Sequence, residues 1–251
     1  DAITLKSITA YRDGVTHTLI DFDTSPRPAL DVPGYYEDDQ TTQELQFLYE
    51  GERLRGVAGL YYLDAHAAGK FDTIVGLLNL TIATSGFVDT TSYAAYADFS
   101  YDFTDKLSAS LGGRYTSDEK EGGVYRQNFT GLYSPLFGND AAVPGLVRSN
   151  SPNDRTFDQF TPRASISYEF TDTFTTYASY SEGFKSGGFD MRGDVVLTPD
   201  TVNGYDPETV QSYEIGAKGT LLDDRLSYNF AAFYADYSDQ QSTRQQLTVT
   251  V

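Results

Sequence analysis

The sequence carries its clearest structural signal in the segment Tyr93-Ala94-Ala95-Tyr96-Ala97-Asp98-Phe99-Ser100-Tyr101-Asp102-Phe103. Every second residue, beginning with Tyr93, is aromatic or Ala, whereas both aspartates occupy the alternate positions. Successive side chains of a β-strand point to opposite faces. The alternation therefore predicts a strand with one apolar face and one polar face.

The same alternation recurs along the chain. Apolar residues alternate with Ser, Thr, Gly and charged residues over 107–116, 160–170 and 213–221, and apolar residues also fill every second position over 226–235. Two further segments, 42–50 and 55–64, indicate strands without a clear assignment of their faces. We count about ten strands in total and predict an all-β protein.

The length of these segments favours strands that cross a membrane. Each runs for about 9–11 residues, which a tilted strand needs to cross the hydrocarbon layer, whereas soluble strands usually have about 5–6. The apolar rows tend to place Tyr or Phe at their ends, as in the aromatic girdles at the two membrane interfaces. Alternation alone would also fit a soluble sandwich, in which the apolar rows form the core.

The connections between the strands alternate between short and long. Short polar turns are predicted at 50–53, 104–106, 171–173 and 223–225. Long loops are predicted at about 12–40, 67–90, 117–156 and 182–206. Outer-membrane barrels have short periplasmic turns and long extracellular loops. The pattern therefore predicts part of an antiparallel up-and-down transmembrane β-barrel.

The composition argues against several functional classes. The chain has 20 Tyr and 16 Phe but no Cys, and its 18 basic and 36 acidic residues give a formal charge of −18. This charge repels nucleic acid, so no nucleic-acid partner is expected. The chain has only two His, and the sequence brings no nucleophile, base and orienting acid together. We therefore predict that it is not an enzyme and that it has no metal site and no cofactor.

Three segments are distinctive in their order and spacing. They are Glu182-Gly183-Phe184-Lys185-Ser186-Gly187-Gly188-Phe189, the segment 206–218 with the acidic turn that follows it, and 160–163 leading into the strand that ends near 170. Together they resemble the barrel of TonB-dependent outer-membrane receptors. The resemblance implies a bacterial outer-membrane importer for an iron-siderophore or similar bulky nutrient, energised through TonB.

The resemblance extends from about Leu5 to Gln241 and covers only part of such a receptor, whose barrel has roughly 22 strands around a plugged lumen. We therefore interpret 1–251 as part of a barrel domain, an interior fragment without the plug domain. The implied partners are outer-membrane lipid and lipopolysaccharide, the nutrient ligand, and the TonB complex, which would act through a segment that this chain lacks.

Charged residues in the strands fall on the polar side of the alternation. A basic side chain facing lipid would cost about 2–4 kcal/mol at the midplane, so we expect these residues to face a wet lumen. The lumen-facing charges predicted in this way are Arg114, Arg163, Glu169, Glu214 and Lys218.

Ligand-contacting residues are expected in two of the long loops. Arg and Lys suit an anionic iron chelate, and aromatic rings can stack on its flat groups. The candidates are Tyr125, Arg126, Tyr133, Arg148, Arg155, Lys185 and Arg192. In so acidic a chain, however, basic residues usually neutralise neighbouring carboxylates. That structural role is the stronger hypothesis for any single one of them.

Two other functions fit the same strands. A passive porin or a barrel adhesin needs no plug, and a soluble secreted β-sandwich would use the aromatic rows as its core. The last of these would bury Phe99, Ile166 and Phe230 together in a dry interior, whereas a transmembrane barrel would expose them.

Overall fold

The structure, a computed structural model, describes residues 2–26, 29–138, 141–223 and 225–242. Within these ranges it has three short 3-10 turns, at Gly76–Leu78, Pro135–Phe137 and Pro199–Asn203, and nine β-strands. The strands are β1 (Ala2–Asp21), β2 (Leu30–Glu50), β3 (Leu54–Val75), β4 (Leu80–Asp102), β5 (Leu107–Thr130), β6 (Val143–Thr171), β7 (Phe174–Lys185), β8 (Glu208–Leu221) and β9 (Leu226–Ser238). The predicted all-β class is confirmed, with nine described strands against the expected number of about ten.

The nine strands form one sheet in the order β1-β2-β3-β4-β5-β6-β7-β8-β9. Each strand pairs antiparallel with the next one in the chain. This is the up-and-down arrangement that the sequence predicts. No helix in the described ranges has the length and apolar character needed to span a membrane.

Short turns join the strands at one end of the sheet, as predicted. In the β4–β5 turn, the Thr104 hydroxyl accepts a hydrogen bond from the Leu107 amide at 3.0 Å. In the β8–β9 turn, Leu222 and Asp223 have φ angles of 58° and 54°. Two such residues in succession are typical of a tight hairpin turn whose twist matches that of its strands. Asp224, also predicted in this turn, lies outside the described residues.

Most of the predicted long loops are wrong, because the strands continue through them. β1 is 20 residues long and β6 is 29 residues long. Beyond a membrane both faces of a sheet meet water, so the apolar alternation ends although the backbone pairing continues. The long connection that remains a loop is 186–207 between β7 and β8, which we call the β7–β8 loop.

The apolar rows of the strands are exposed. Ile166 is 49% exposed and Phe230 is 64% exposed, while Phe99 has intermediate burial. The buried hydrophobic residues of the described part are Ala83, Ala94 and Phe157. A sandwich needs a second layer to cover such rows, and the described strands form a single sheet. The soluble-sandwich hypothesis is therefore wrong.

Aromatic side chains border the apolar rows on two levels. On the upper level, toward the long strand ends, the Tyr62 and Tyr93 rings lie 5.2 Å apart. On the lower level, near the short turns, the Tyr168 and Phe170 rings lie 4.7 Å apart. From Phe160 to Phe170 the strand advances by ten residues, which gives about 25 Å of height at a tilt of about 40° and matches the apolar band of an outer-membrane barrel.

Candidate ligand-facing site

The charges predicted to face the lumen share one face of the sheet, which we call the polar face. Thr175 lies directly opposite both Glu169 and Lys218, and residues opposite one another point to the same side. By the same register, this face carries Arg114, Arg163 and Glu214. Its assignment to the barrel lumen stays a prediction, supported by the exposed apolar rows on the other face.

Polar side chains on this face pair with one another across the strands. Arg163 forms an ion pair with Asp98 at 3.1 Å, and the Tyr177 hydroxyl donates to Glu214 at 2.6 Å. The guanidinium of Arg114 lies 5.1 Å from the centre of the Tyr61 ring. These contacts give Arg163, Glu214 and Arg114 partners within the sheet, so the presence of these charges does not by itself indicate a ligand.

The β7–β8 loop folds onto the polar face near the long strand ends. A Cβ built on Gly86 would lie 3.2 Å from Met191 Cβ, and a Cβ on Gly69 would lie 3.2 Å from Met191 Cε. A Cβ on Gly122 would lie 3.0 Å from the Phe189 ring. Glycine within a strand often marks a close approach of another chain segment. These three glycines leave room for Phe189 and Met191 against the wall.

An ion pair of low exposure anchors the loop to β6. Arg148 and Asp194 form this pair, and their side chains are only 14% and 11% exposed. Beside it, the Ser149 hydroxyl donates to the Gly193 carbonyl at 2.6 Å and accepts from the Val195 amide at 3.1 Å. A charge pair with this little water depends on both partners being present. We call these residues the Arg148 anchor.

Three further basic residues hold the same loop. Lys120 donates to the Gly187 carbonyl at 2.7 Å, and Arg126 donates to the Arg192 carbonyl at 2.5 Å. Arg155 contacts the Asn203 carbonyl at 3.0 Å and the Asp206 carboxylate at 2.6 Å. Burial lowers the pKa of both Lys120 and Arg126, because a charged group loses hydration there. The loop is thus docked by a set of cations.

The structure separates the candidate ligand residues. Tyr125 and Arg126 lie in β5 rather than in a loop, and as neighbours in a strand they point to opposite faces. Arg148 and Arg155 lie in β6, and Lys185 ends β7. The prediction that these residues lie in loops is wrong, because the strands continue through the segments predicted as loops. Tyr133 and Arg192 do lie in connections, those of β5–β6 and β7–β8.

Among the basic candidates, exposure leaves two side chains accessible. The Arg192 side chain is 49% exposed and pairs with Asp190 at 3.0 Å, and Lys185 is exposed at the end of β7. Arg126, Arg148 and Arg155 hold the β7–β8 loop instead. The sequence pattern predicts no role for Lys120 or Met191 and does not identify Arg148 as the partner of Asp194. The strand glycines opposite Met191 were the signal that could have identified a docked segment.

Three carboxylates near the ends of β1 and β2 have oxygens within 4.8 Å of one another: Asp21, Asp23 and Asp31. Asp23 already accepts hydrogen bonds from the amides of Ala29 at 3.1 Å and Leu30 at 2.7 Å. Hydrogen bonds, with that from the Ser25 side chain the largest cause, hold the pKa of Asp23 below its ordinary value of 3.8. The Asp23 carboxylate therefore joins the two ends of the β1–β2 connection, and this structural role accounts for the cluster.

On the other face, above the upper aromatic level, the His66 imidazole contacts the Asp89 carboxylate at 2.5 Å. This hydrogen bond raises the pKa of His66 above its ordinary value of 6.5. The pair therefore contributes stability that is fully present below pH 6.5. That contribution is lost as the pH rises through the raised pKa.

We expect Asp89→Asn to bring the pKa of His66 back toward its ordinary value, because the substitution removes the hydrogen-bonded charge. NMR titration of labelled histidine in the detergent-solubilised protein measures this change. Asp154→Asn is the matched control, since Asp154 lies on the same face two strands from Asp89. If the pKa of His66 falls equally in both variants, the summed charge of the nearby carboxylates, rather than the direct contact with Asp89, raises that pKa.

An exposed apolar band between two aromatic levels, with a polar opposite face, defines the class of an outer-membrane β-barrel. The profile of the family described as TonB dependent receptor-like, beta-barrel matches residues 2–251. The chain belongs to this family, as its resemblance to TonB-dependent receptors predicted. Its localisation is the bacterial outer membrane, and its family consists of receptors rather than enzymes.

Curated relatives match part of the chain. It is 28% identical over 146 residues to the ferric-pyoverdine BN7/BN8 receptor of Pseudomonas putida, covering 58% of this chain and 15% of that protein. It is 39% identical over 75 residues to the metal-pseudopaline receptor CntO of Pseudomonas aeruginosa, covering 30% of this chain and 9% of that receptor. The chain thus spans a small part of the length of these relatives.

Solved structures support the fold. The ferric yersiniabactin uptake receptor FyuA from Yersinia pestis superposes with a TM-score of 0.74 at 17% identity, over 95% of this chain and 34% of that chain. The siderophore receptor PiuA from Acinetobacter baumannii superposes with a TM-score of 0.57 at 16% identity, over 93% of this chain and 37% of that chain. At these identities the likeness shows the fold alone.

Proposed function

We propose that this chain forms part of the wall and outer rim of a receptor that imports an iron-siderophore or a similar bulky metal chelate. The observation that carries the proposal is the family match over 2–251. It is joined by relatives that are named for ferric-pyoverdine and metal-pseudopaline. The passive porin remains the competing function, and the requirement for TonB separates the two.

The charge distribution at the outer rim suits an anionic ligand. In a chain of formal charge −18, the polar face near the long strand ends brings together the cations that hold the β7–β8 loop. Because most of them already have partners, a ligand would first meet the accessible Arg192 and Lys185. Tyr133, in the β5–β6 connection, is the remaining ring candidate. Arg126, Arg148 and Arg155 would then act by positioning the loop. Tyr125 is the least suited candidate, since it points to the opposite face.

Transport itself would require the rest of the receptor. The TonB complex supplies energy through a segment outside this chain, and a plug would close the lumen. In a strain without the native receptor, growth on ferric pyoverdine under iron limitation should depend on both the intact gene and TonB. Growth that persists without TonB would support a passive porin instead.

The combined change Lys185→Ala and Arg192→Ala is expected to weaken binding of ferric pyoverdine to the full-length receptor by about tenfold, because two accessible cations are removed. Isothermal titration calorimetry measures the dissociation constant. Arg225→Ala, in the β8–β9 turn at the other end of the sheet, is the control and should bind like wild type. If the double variant binds as tightly as the control, these two residues are not ligand contacts. If wild type binds neither ferric pyoverdine nor metal-pseudopaline, the ligands for which these relatives are named are not the ligand of this receptor.

A further inference from the structure

The face that carries the apolar rows has a shallow groove beyond the upper aromatic level. The groove has a volume of about 580 Å³. Its lining includes the side chains of Tyr35, His66, Lys70, Phe87 and Tyr125. It lies on the opposite face from the β7–β8 loop, so it is not part of the ligand-facing site. We call it the outer groove.

The height of the outer groove places it beside the headgroup layer of the membrane. Phe87 lies six residues beyond Tyr93 along β4. At a rise of about 3.3 Å per residue and a tilt of about 40°, Phe87 stands roughly 15 Å above the upper aromatic level. The groove lies on the same face of the sheet as the exposed apolar rows, because Phe87 and Tyr93 are separated by an even number of residues in β4. Its neighbour in the membrane is therefore the polar layer of the outer leaflet.

The floor of the groove is flat and aromatic. The Phe87 ring lies across Gly123, where an added Cβ would come within 2.7 Å of a ring carbon. The Phe87 ring also stacks on the His66 imidazole, with their centres 6.3 Å apart at an interplanar angle of 21°. Phe87 and Tyr125 are both exposed. Exposed aromatic faces of this kind pack against the apolar C–H faces of sugar rings.

A cation lies at the upper part of the groove. The Lys70 ammonium is 5.4 Å from the centre of the Tyr35 ring and 5.6 Å from that of Phe137. Within the described part of the chain, Lys70 forms no ion pair with a carboxylate. Lys70 interacts electrostatically with Asp72, but because no carboxylate among the described residues contacts its ammonium directly, a phosphate group can still bind there.

Glu37 lines the groove, and further acidic residues lie between the groove and the upper aromatic level. The residues directly opposite one another across β2 to β6 in this row are Asp39, His66, Asp89, Glu121 and Asp154. A bare phosphate would be repelled by such a row, whereas a phosphate with divalent counter-ions would not. A molecule that combines sugar rings with phosphates and carries divalent counter-ions therefore fits the groove.

We propose that the outer groove docks the phosphorylated core saccharide of lipopolysaccharide from the surrounding outer leaflet. The sugar rings pack on Phe87 and Tyr125, and a core phosphate pairs with Lys70. The glycolipid's acyl chains continue down the apolar rows between the aromatic levels. The proposal rests on the membrane placement of the sheet and is independent of the transported ligand.

The test measures how much glycolipid stays bound to the full-length receptor in detergent with magnesium present. Native mass spectrometry compares complete lipopolysaccharide, lipid A without its core saccharide, and phosphatidylglycerol as probes. Wild type should retain the complete glycolipid about tenfold better than lipid A, because only the former reaches the groove. Equal retention of the two would overturn the proposal, and this comparison needs no variant.

The variants Lys70→Ala and Phe87→Ala should each lose most of the preference for the complete glycolipid, and Lys70→Arg should keep it. Lys218→Ala removes the same charge from the polar face and serves as the matched control. Retention of phosphatidylglycerol should be equal in all of them. If Lys70→Ala and Phe87→Ala keep the wild-type preference, or if Lys218→Ala loses as much, the groove is not the docking site.

Discussion

Leu111→Arg is expected to lower the free energy of unfolding of the membrane-inserted receptor by about 2–4 kcal/mol. Leu111 is exposed on the apolar face, four residues from Tyr115 on the upper aromatic level. It lies opposite Phe99 and Ala164, near the middle of the apolar rows. A guanidinium there would lose its hydration to hydrocarbon. Urea unfolding in lipid vesicles measures the change.

The matched control is Ser110→Arg, which places the same charge one residue away on the polar face. Ser110 shares a hydrogen bond with Ser165 at 2.6 Å. Its replacement should therefore cost about 1 kcal/mol, the usual net value of one such bond. A loss from Ser110→Arg equal to or larger than that from Leu111→Arg would mean that the apolar face does not contact lipid.

Arg148→Ala is expected to release the β7–β8 loop from the polar face. The substitution leaves the Asp194 carboxylate without its cation in a site that is only 11% exposed. Breaking a pair of this kind costs about 3–5 kcal/mol. The loop can avoid that cost by leaving the wall and hydrating Asp194. Hydrogen exchange of the amides from Gly193 to Thr198 should therefore become about a hundredfold faster or more.

Arg12→Ala is the control for this experiment, because Arg12 forms an ion pair with Asp38 whose side chains are 66% and 43% exposed. A pair in water contributes about 0–1 kcal/mol, so its loss should leave exchange in the β7–β8 loop unchanged. Replacing both Arg148 and Asp194 by apolar residues should restore part of the protection. Unchanged exchange in Arg148→Ala would show that the other cations and the glycine packing hold the loop without the Arg148–Asp194 pair.

The membrane-spanning parts of the strands could be predicted from the sequence because a lipid-facing row tolerates few charges. The row from Phe160 to Phe170 shows this directly, since its alternate positions carry Arg163 and Glu169. Outside the membrane no row faces lipid, so the sequence does not predict the outer ends of the strands. From Ser117 to Thr130 both faces of β5 meet water or the loop, so polar residues occur on both sides although pairing with β6 continues.

The candidate site was only partly predictable. The basic residues were recognised as a group, but their partners are residues distant in sequence, such as Asp194 for Arg148 and Asp206 for Arg155. Charge pairing over such separations depends on the fold of the loop, which no local periodicity encodes. The stronger of the two hypotheses, that these cations neutralise carboxylates, describes Arg148 and Arg155 in the structure.

The orientation of the two faces is tested most directly by a nitroxide scan along β6 from Arg163 to Tyr168. The chain contains no Cys, so each position can be labelled through a single introduced cysteine. Labels at Ala164, Ile166 and Tyr168 should be accessible to oxygen dissolved in the bilayer. Those at Arg163, Ser165 and Ser167 should be accessible to a water-soluble nickel complex. A reversed pattern, or no alternation at all, would contradict the placement of the apolar rows against lipid.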